Sequence, residues 1–485
     1  MQATTLPHWL TTRADLTPNS RALEFVDGTI ITFLELKKRS ETFAKQLAYL
    51  GVERDKRVAI LSNNHIDMII AIHALSYLGA VAVMLNTKLT RDELTYQLTA
   101  SHAFLLLTTE SLKTDKALPF NNTLTFTEVA EEKLVNTSLL EEISLQDPCT
   151  MMFTSGTTGK PKAVLHTYGN HWWSATGSAL NLGLHDDDKW LLPLPIFHIG
   201  GLSILLKSII YGIPAFVMEK YDPAVFYDVI RHNKITIVSL VTLMLKQYVD
   251  KLGHETLPKH LRCFLLGGGS VPEVLLQEVK KKEIPLFQSY GMTETSSQIV
   301  TLSADDALRK LGSSGKALFP AQVDIIEQQA DSVGEIVVKG PMVMDGYVDN
   351  PKANEASFIN GWLKTGDLGY LDEEGFLYVV ERRTDLIISG GENIYPSEIE
   401  SKLLMIRGVT DAGVFGLEDD TWGKVPIACI VRDDADVTEQ FVFNQLEDVL
   451  AAYKIPKQVH FIEELPRNAS NKLMRHRLHL FIEEK

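Results

Sequence analysis

The sequence predicts an α/β protein with a large amino-terminal domain of helix-covered mixed sheets, a β-rich subdomain and a small α+β carboxy-terminal domain. Short apolar runs bounded by turn residues alternate with segments of helical periodicity, which is typical of mixed or parallel sheets covered by helices. From about Gly334 the pattern changes to β-rich segments joined by close turns. After Arg383, helices and strands alternate again in a shorter unit.

Apolar runs mark the expected strands of the large domain: 57–63, 103–109, 189–195, 235–240 and 262–269. Helical periodicity covers 68–80 and 224–233. The most membrane-like window, 199–218, carries Lys207 near its middle together with three glycines and Pro214. Because a lysine at the centre of a bilayer costs about 2.5–3.5 kcal/mol, we predict a buried helix followed by a strand and no membrane insertion.

The carboxy-terminal part is expected to begin near Thr384, after a hairpin turn over 372–375. Its predicted elements are a helix over 396–404, strands over 410–415 and 426–432, a helix over 438–450 and a strand over 458–461. The predicted domains are therefore 1–383 and 384–485.

Composition excludes several classes of protein. With 485 residues, 45% of them hydrophobic and 22% charged, the chain is neither disordered nor collagen-like. A net charge of −15 argues against a nucleic-acid partner, since a phosphate backbone needs a basic surface. The three cysteines contain no CxxC pair and the amino terminus has no apolar leader, which predicts a protein of the reducing cytoplasm.

The strongest local motif has the composition of a loop that wraps a triphosphate. Glycines let the backbone approach closely, hydroxyls and NH groups donate to phosphate oxygens, and a lysine supplies charge. The spacing is not that of a P-loop, because Pro161 follows the lysine where a helix would have to begin. The predicted ATP-binding residues here are Thr154, Ser155, Gly156, Thr157, Thr158, Gly159 and Lys160.

A second cluster follows the strand-like residues 284–287 and contains Ser289, Tyr290, Gly291, Met292 and Thr293. A tyrosine beside a glycine offers a flat face on which a purine can stack. Glu294 could hold a Mg²⁺ ion that bridges phosphates. The alternative is a strand end with a helix-capping threonine.

Four further groups of residues are candidates for the site. Asp367, between two glycines, could bind a ribose diol with Arg382 beside it, or could be an ordinary turn residue. Lys472 lies in a polar loop and could equally be a surface charge. Gly267, Gly268 and Gly269 suggest close backbone approach to the chain or to a ligand. His198 and Lys207 could line one cavity, and a buried ammonium needs a partner.

The order of these motifs resembles that of the acyl-adenylate-forming superfamily, which includes acyl-CoA synthetases, adenylation domains and luciferases. The motifs are TSGTTGKPK, LPIFHIGG, QSYGMTET, the segment from TGDLGY to PSEIE, and PRNASNK, and they span essentially the whole chain. Within the superfamily, FHIGGLSILLKSIIYG, QSYGMTETSSQIVTL and LPRNASNKLMR are similar to the 2-succinylbenzoate–CoA ligases of menaquinone biosynthesis.

The resemblance implies a two-step ligase that uses ATP and coenzyme A as co-substrates and Mg²⁺ as cofactor. It implies that Lys472, His198 and Glu294 are catalytic, with Glu294 linked to the metal. It places the adenine on Tyr290 and the ribose on Asp367 and Arg382. The remaining implied roles are an acid pocket with His198, Lys207 and Gly267 to Gly269, a coenzyme A tunnel at Gly390 and Gly391, and a hinge at Thr384 that lets the small domain swing.

Two departures from the family pattern are Ala163 and Glu381, which stand where glycine is common, and neither removes a functional group. Three alternatives stay open at this point. The chain could activate another acid, feed a carrier protein, or bind nucleotides without catalysis. The predicted partners are small molecules, and the oligomeric state is left open.

Overall fold

The protein is described by a computed structural model. It covers residues 4–154, 161–267, 271, 273–307, 309–326, 333–382, 385–389, 392–394, 396–419, 422–447, 449–450, 452–468 and 472–482.

The strands in chain order are β1 (Thr5–Pro7), β2 (Arg21–Phe25), β3 (Ile30–Thr32), β4 (Arg57–Leu61), β5 (Val81–Leu85), β6 (Leu105–Thr108), β7 (Thr123–Thr125), β8 (Glu142–Ser144), β9 (Pro148–Thr154), β10 (Lys162–Thr167), β11 (Trp190–Leu192), β12 (Ala215–Val217), β13 (Ile237–Leu240), β14 (Cys263–Leu266), β15 (Leu286–Met292), β16 (Ser297–Leu302), β17 (Lys316–Ala317), β18 (Gln322–Ile326), β19 (Gly334–Lys339), β20 (Phe358–Ile359), β21 (Trp362–Leu371), β22 (Leu377–Arg382), β23 (Ile387–Ser389), β24 (Glu392–Ile394), β25 (Val409–Asp419), β26 (Gly423–Arg432) and β27 (Gln458–Phe461).

The helices are α1 (Trp9–Leu16), α2 (Phe33–Tyr49), α3 (Ile66–Leu78), α4 (Arg91–Ala100), α5 (Glu110–Lys116), α6 (Phe126–Ala130), α7 (Tyr168–Leu182), α8 (Ile199–Tyr211), α9 (Pro223–His232), α10 (Thr242–Leu252), α11 (Glu273–Lys281), α12 (Pro351–Ser357), α13 (Pro396–Leu403) and α14 (Glu439–Glu447). Three 3₁₀ segments cover Thr293–Thr295, Ala452–Lys454 and Arg475–Phe481.

Two large sheets and their helices form five layers. One sheet has the strand order β10-β9-β5-β4-β6-β7, and the other has the order β17-β16-β15-β14-β13-β11-β12-β2-β3. A single apolar core joins facing sides of both sheets through α2, α3 and α8. The outer face of the second sheet packs on α9, α10 and α11, and that of the first packs on α4. Hydrophobic burial on both faces explains why these strands read as continuous apolar runs.

The centre of the second sheet is parallel. Strands β2, β12, β11, β13, β14 and β15 run in one direction, and β16 returns antiparallel to β15. In such sheets, ligands bind outside the carboxyl ends of the strands. The segments that follow β11, β14 and β15 contain His198, Gly267 and Glu294, so the topology collects them at one edge.

Two smaller sheets follow along the chain. The strands from Gln322 to Arg382, β18 to β22, form one sheet with the order β18-β19-β21-β20, in which β22 pairs with β21. Strands from Ile387 onward belong to a separate sheet, β24-β23-β26-β25, with β27 paired to β26. The second of these sheets has its own apolar core, with α13 and α14 on one side.

The predicted α/β architecture is confirmed, including the helix and strand over 199–218, which are α8 and β12. Among the residues that the structure describes, no helix is both long enough and apolar enough to cross a bilayer. One difference concerns β15. The sequence placed its end near residue 287, but it continues to Met292 because β16 returns along it. The three cysteines are buried and free.

An ion pair joins the residues just before β11 and β14, two of the strands that lead to the sheet edge with His198 and Gly267. Arg262, just before β14, donates from Nε and Nη2 to the Asp188 carboxylate at 2.8 and 2.5 Å. The Asp188 side chain is fully buried. Burial raises its pKa, but the hydrogen bonds from Arg262, His185 and Thr236 more than offset this, and the pKa lies below its ordinary value.

Replacing Arg262 with Met should lower the free energy of unfolding by about 3 kcal/mol, because the buried carboxylate loses its counter-ion. Denaturant unfolding followed by far-UV circular dichroism measures this. Arg21→Met is the matched control, since the Arg21 side chain is 57% exposed beside Glu24, and its loss should cost less than about 1 kcal/mol. Equal costs for the two variants would contradict the structural role of Arg262.

Candidate active site

The two ends of the predicted phosphate loop lie side by side. Thr154 ends β9, Lys162 begins β10, and these two residues are paired across the antiparallel ladder. Residues 155–160 lie outside the described part of the chain. The described residues on either side of this segment therefore belong to one antiparallel pair of strands, and β9 also pairs with β5.

A sharp turn after β15 presents the second predicted cluster. Gly291 faces Ser297 so closely that a Cβ on it would lie 2.1 Å from the Ser297 carbonyl oxygen, so only glycine fits. Ser296 and Ser297 both have positive φ, 54° and 110°, which is strained for residues other than glycine. The turn is held by Ser174, whose Oγ donates to the Ser296 carbonyl at 2.8 Å.

Tyr290 and Asp367, predicted from separate motifs, are in direct contact. The Tyr290 hydroxyl donates to Asp367 Oδ2 at 2.8 Å, although the two residues are 77 positions apart. Asp367 lies on β21 opposite Arg382 of β22 in the strand register. For Arg382 only the backbone position is described. The aromatic ring and the carboxylate thus form one polar surface beside the end of β15.

Glu294 lies in the 3₁₀ segment that follows and is only 5% exposed. The Tyr347 hydroxyl donates to Glu294 Oε1 at 2.9 Å, and the Met344 NH donates to the Glu294 carbonyl at 2.9 Å. The first of these bonds orients the carboxylate and the second holds the backbone of Glu294. The described residues contain no group of three or more metal-ligating side chains. A Mg²⁺ ion here would take its other ligands from phosphate oxygens and water, as this cation commonly does.

His198 lies at the amino-terminal end of α8, beside Phe197, with ring centroids 4.8 Å apart. Burial, followed by the smaller effects of the positive charges of Lys88 and Lys472, lowers the pKa of His198 to about 4. The imidazole is therefore neutral at physiological pH.

Lys472 is held by hydrogen bonds to Asn468, and the segment after it is anchored. The Asn468 NH donates to the Lys472 carbonyl, and the Lys472 NH donates to Asn468 Oδ1, both at 2.9 Å. Three residues on, Arg475 donates to Asp385 Oδ2 at 2.6 Å and to both oxygens of Glu400 at 3.0 and 2.9 Å. These bonds tie the segment after Lys472 to α13 and to the residues just before β23.

Lys207 is buried in α8 and is 2% exposed. Its Nζ lies 5.7 Å from the centroid of the Trp190 ring. Burial lowers the pKa of Lys207 to about 7, and no carboxylate among the described residues raises it again. Gly267 lies near the sheet edge that also holds His198, beside Ser289.

Several residues that support the site were not predicted. Asn64 is buried, and its amide donates to the carbonyls of Leu194 and Met218 and accepts from the Ile196 NH, which fixes the segment before His198. Tyr347 and Lys88 were also missed. Asn64 and Tyr347 lie far along the chain from the residues that they contact, and Lys88 acts on His198 only through its charge. The one signal in the sequence was that Asn64 is a polar residue in an apolar context.

Some predicted positions lie outside the described residues, so their placement stays a prediction. They are Ser155 to Lys160, Gly268, Gly269, Thr384, Gly390 and Gly391.

Comparison with known proteins now decides the family. The AMP-binding enzyme family matches residues 10–348, and the AMP-binding enzyme C-terminal domain matches residues 398–472. A 2-succinylbenzoate–CoA ligase from Oceanobacillus iheyensis is 55% identical over 98% of this chain and 99% of its own length. This chain belongs to the 2-succinylbenzoate–CoA ligase family of AMP-binding enzymes.

Solved structures of this ligase family have the same fold. The o-succinylbenzoate CoA synthetase of Bacillus subtilis in complex with the acyl-adenylate intermediate OSB-AMP superposes with a TM-score of 0.93 at 46% identity, covering 98% of each chain. The same enzyme in complex with ATP and magnesium ion gives a TM-score of 0.92 at 46% identity, covering 98% of this chain and 100% of that one. The resemblance inferred from the motifs is confirmed.

Replacing Tyr347 with Phe should lower the free energy of unfolding by about 2 kcal/mol, because the buried Glu294 carboxylate loses a hydrogen-bond donor. Chemical denaturation measures the change. Tyr211→Phe is the control, since its hydroxyl donates to the neutral carbonyl of Ala175, and its loss should cost about 1 kcal/mol. A larger cost for the control would show that the bond to Glu294 contributes little.

Proposed function

We propose that this chain is an acid–thiol ligase that adenylates 2-succinylbenzoate with ATP and transfers the acyl group to coenzyme A. Its products are 2-succinylbenzoyl-CoA, AMP and pyrophosphate, in menaquinone biosynthesis. The ligase names of the relatives and the OSB-AMP complex support this reaction. The observation that carries it is the direct contact of Tyr290 with Asp367, which joins two of the predicted nucleotide-binding residues beside the turn that holds Glu294.

In the first step, a carboxylate oxygen of the acid attacks the α-phosphorus of ATP, and pyrophosphate leaves with the electron pair of the broken P–O bond. The carboxylate is already a nucleophile, so no general base is needed. The work of the protein is positioning and neutralisation of charge. Lys472 supplies a cation from the small domain, and we assign the backbone and Lys160 of the predicted phosphate loop to the phosphates.

The nucleotide is assigned to the surface formed by Tyr290, Asp367 and the strand position of Arg382. Tyr290 offers its ring to the adenine while its hydroxyl orients Asp367 toward the ribose. Glu294 would hold Mg²⁺, which neutralises phosphate charge when bound, as supported by the relative in complex with ATP and magnesium.

In the second step, the thiolate of coenzyme A attacks the acyl carbonyl, a thioester bond forms, and AMP leaves. We assign the domains as 1–383 and 384–485, the hinge to Thr384, and the coenzyme A passage to Gly390 and Gly391. The bonds from Arg475 to Asp385 and Glu400 support a rigid small domain, because they make Lys472 follow any rotation that begins at the hinge. Such a rotation withdraws the lysine and can limit turnover.

The choice of acid is assigned to Lys207. The succinyl carboxylate is activated near His198, and the ring carboxylate pairs with the buried ammonium. A pocket built around an unpaired ammonium disfavours monoacids, since they leave the charge without a partner. The reaction uses small molecules only, and the substrates and sparse cysteines support a place in the cytoplasm.

The test of this function is ATP–pyrophosphate exchange with and without 2-succinylbenzoate. Exchange that depends on this acid, followed by thioester formation on addition of coenzyme A, is the expected result. A panel of coumarate, benzoate and medium-chain fatty acids decides whether another acid is preferred. Exchange with none of the acids would refute the proposed function, and preference for a monoacid would refute the role of Lys207.

Replacing Lys207 with Ala should raise KM for 2-succinylbenzoate by about 10²-fold while KM for ATP stays near normal, because a charge-assisted contact to the acid is lost. Lys207→Met keeps most of the apolar volume of the lysine side chain without its charge, and it should raise KM for 2-succinylbenzoate to a similar extent.

The lowered pKa of Lys207 predicts that kcat/KM for the acid depends on pH. Because burial lowers the pKa of Lys207 to about 7, its cationic form declines as the pH rises through that value. The kcat/KM for the acid should therefore fall above pH 7 in the unsubstituted chain and stay low and flat across this range in Lys207→Ala. Initial rates from pH 6 to 9 measure both effects, and parallel pH profiles for the two proteins would contradict the anchoring role.

Replacing Lys472 with Ala should slow adenylation by about 10²–10³-fold, since a cation at the developing charge is removed. Thioester formation from supplied acyl-adenylate should continue at a near-normal rate, because the lysine has left the site by then. Single-turnover assays of each half-reaction measure this. The exposed Lys457→Ala is the control on the same domain. Equal loss of both half-reactions would argue against two domain arrangements.

A further inference from the structure

A chain of buried polar groups lies directly behind the Glu294 turn. His166 on β10 is 0% exposed, and its Nε2 lies 2.7 Å from the Thr293 carbonyl oxygen. Its Nδ1 lies 3.3 Å from the Thr150 hydroxyl of β9. The same hydroxyl lies 2.8 Å from Nε2 of His171, which is buried in α7. Three side chains and one carbonyl thus form a continuous hydrogen-bonded line.

The partners determine where each proton lies. A carbonyl oxygen only accepts, so His166 Nε2 carries the proton and donates to Thr293. In a neutral ring Nδ1 then accepts, which makes the Thr150 hydroxyl the donor to it. The hydroxyl oxygen must accept from His171 Nε2, which therefore also carries its proton. A single assignment of donors and acceptors satisfies all three hydrogen bonds, so the direction of each bond is fixed as well as the positions of its atoms.

The geometry points to His166 as a positioning residue for adenylation: it holds the Thr293 carbonyl and so fixes the place of the Glu294 carboxylate. This inference rests on the proposed function, because it assumes that Glu294 binds the magnesium of the ATP complex. Thr150 is a second positioning residue, since its hydroxyl orients the His166 ring from the side opposite the Thr293 carbonyl.

The location of the line explains why such a support is needed. The turn that it holds is followed by the strained residues Ser296 and Ser297, with φ of 54° and 110°. Strained backbone persists only when its surroundings hold it firmly. Tyr347 fixes the side chain of Glu294 and Met344 its carbonyl, while His166 is the support for the preceding peptide. Without it the carboxylate can shift by a fraction of an ångström, which a cation with strict geometry does not tolerate.

Burial agrees with neutral rings in this line. Burial lowers the pKa of His166 to about 4, and it lowers the pKa of His171 still more strongly from its ordinary value. The hydrogen-bond pattern requires only neutral imidazoles, so the two observations are consistent.

The experiment measures ATP–pyrophosphate exchange by the full chain at saturating ATP and 2-succinylbenzoate while Mg²⁺ is varied. His166→Leu should raise the half-saturating Mg²⁺ concentration roughly tenfold, the cost of one lost buried hydrogen bond. His166→Gln keeps an NH donor at the end of the side chain and should stay within about threefold of the unsubstituted chain. His73→Leu is the matched control, because it removes another fully buried imidazole, on α3.

The inference is overturned if His166→Leu shifts the Mg²⁺ dependence no more than His73→Leu does, or if His166→Gln is no better than His166→Leu. Should His166→Leu fail to fold, Thr150→Val decides: a rise of about threefold in half-saturating Mg²⁺ supports the inference, and an unchanged value overturns it. Failure of the proposed function is seen separately, as absence of exchange by the unsubstituted chain before any variant is made.

Discussion

The site depends on one close backbone contact, the passage of Gly291 against Ser297 where β16 turns back along β15. Because no Cβ separates these two strands, β15 continues to Met292 and the turn after it is tight. That turn sets Glu294 against Tyr347 and the Thr293 carbonyl against His166. It also leaves Tyr290 on the strand edge, where its hydroxyl meets Asp367. A wider turn would separate the carboxylate from the surface that we assign to the nucleotide.

The second constraint is electrostatic. The large domain encloses Lys207 without a carboxylate partner among the described residues, at the price of a pKa near 7. Burying an unpaired cation is unfavourable, and the cost is offset when a bound anion supplies the missing charge. The selectivity that we propose for an acid with two carboxylates rests on this cost, because the second carboxylate would supply the missing charge. His198, just before the first residue of α8, is neutral, so it adds no second positive charge that would compete with Lys207 for a carboxylate.

The sheets of the described residues divide at the segment to which we assign the hinge. Strands β18 to β22 form one sheet and strands β23 to β27 form another, and no ladder between described residues joins the two. In the carboxy-terminal part, Arg475 binds Asp385 and Glu400, and Asn468 exchanges two hydrogen bonds with Lys472. The proposed rotation of this part would carry Lys472 with it, while the Glu294 turn belongs to the other part of the chain.

The sequence by itself determined the alternation of apolar runs and helices, the order of the motifs and the identity of the charged groups. It did so because periodicity and residue chemistry are local properties. It predicted Lys207 as an anomaly, Glu294 as a metal-linked carboxylate and the elements of the small domain. Only the tertiary structure decided that Tyr290 contacts Asp367 and that Asn64, Tyr347 and His166 support the site. These contacts join residues far apart in the chain, and their existence depends on sheet order and strand register, which no local pattern encodes.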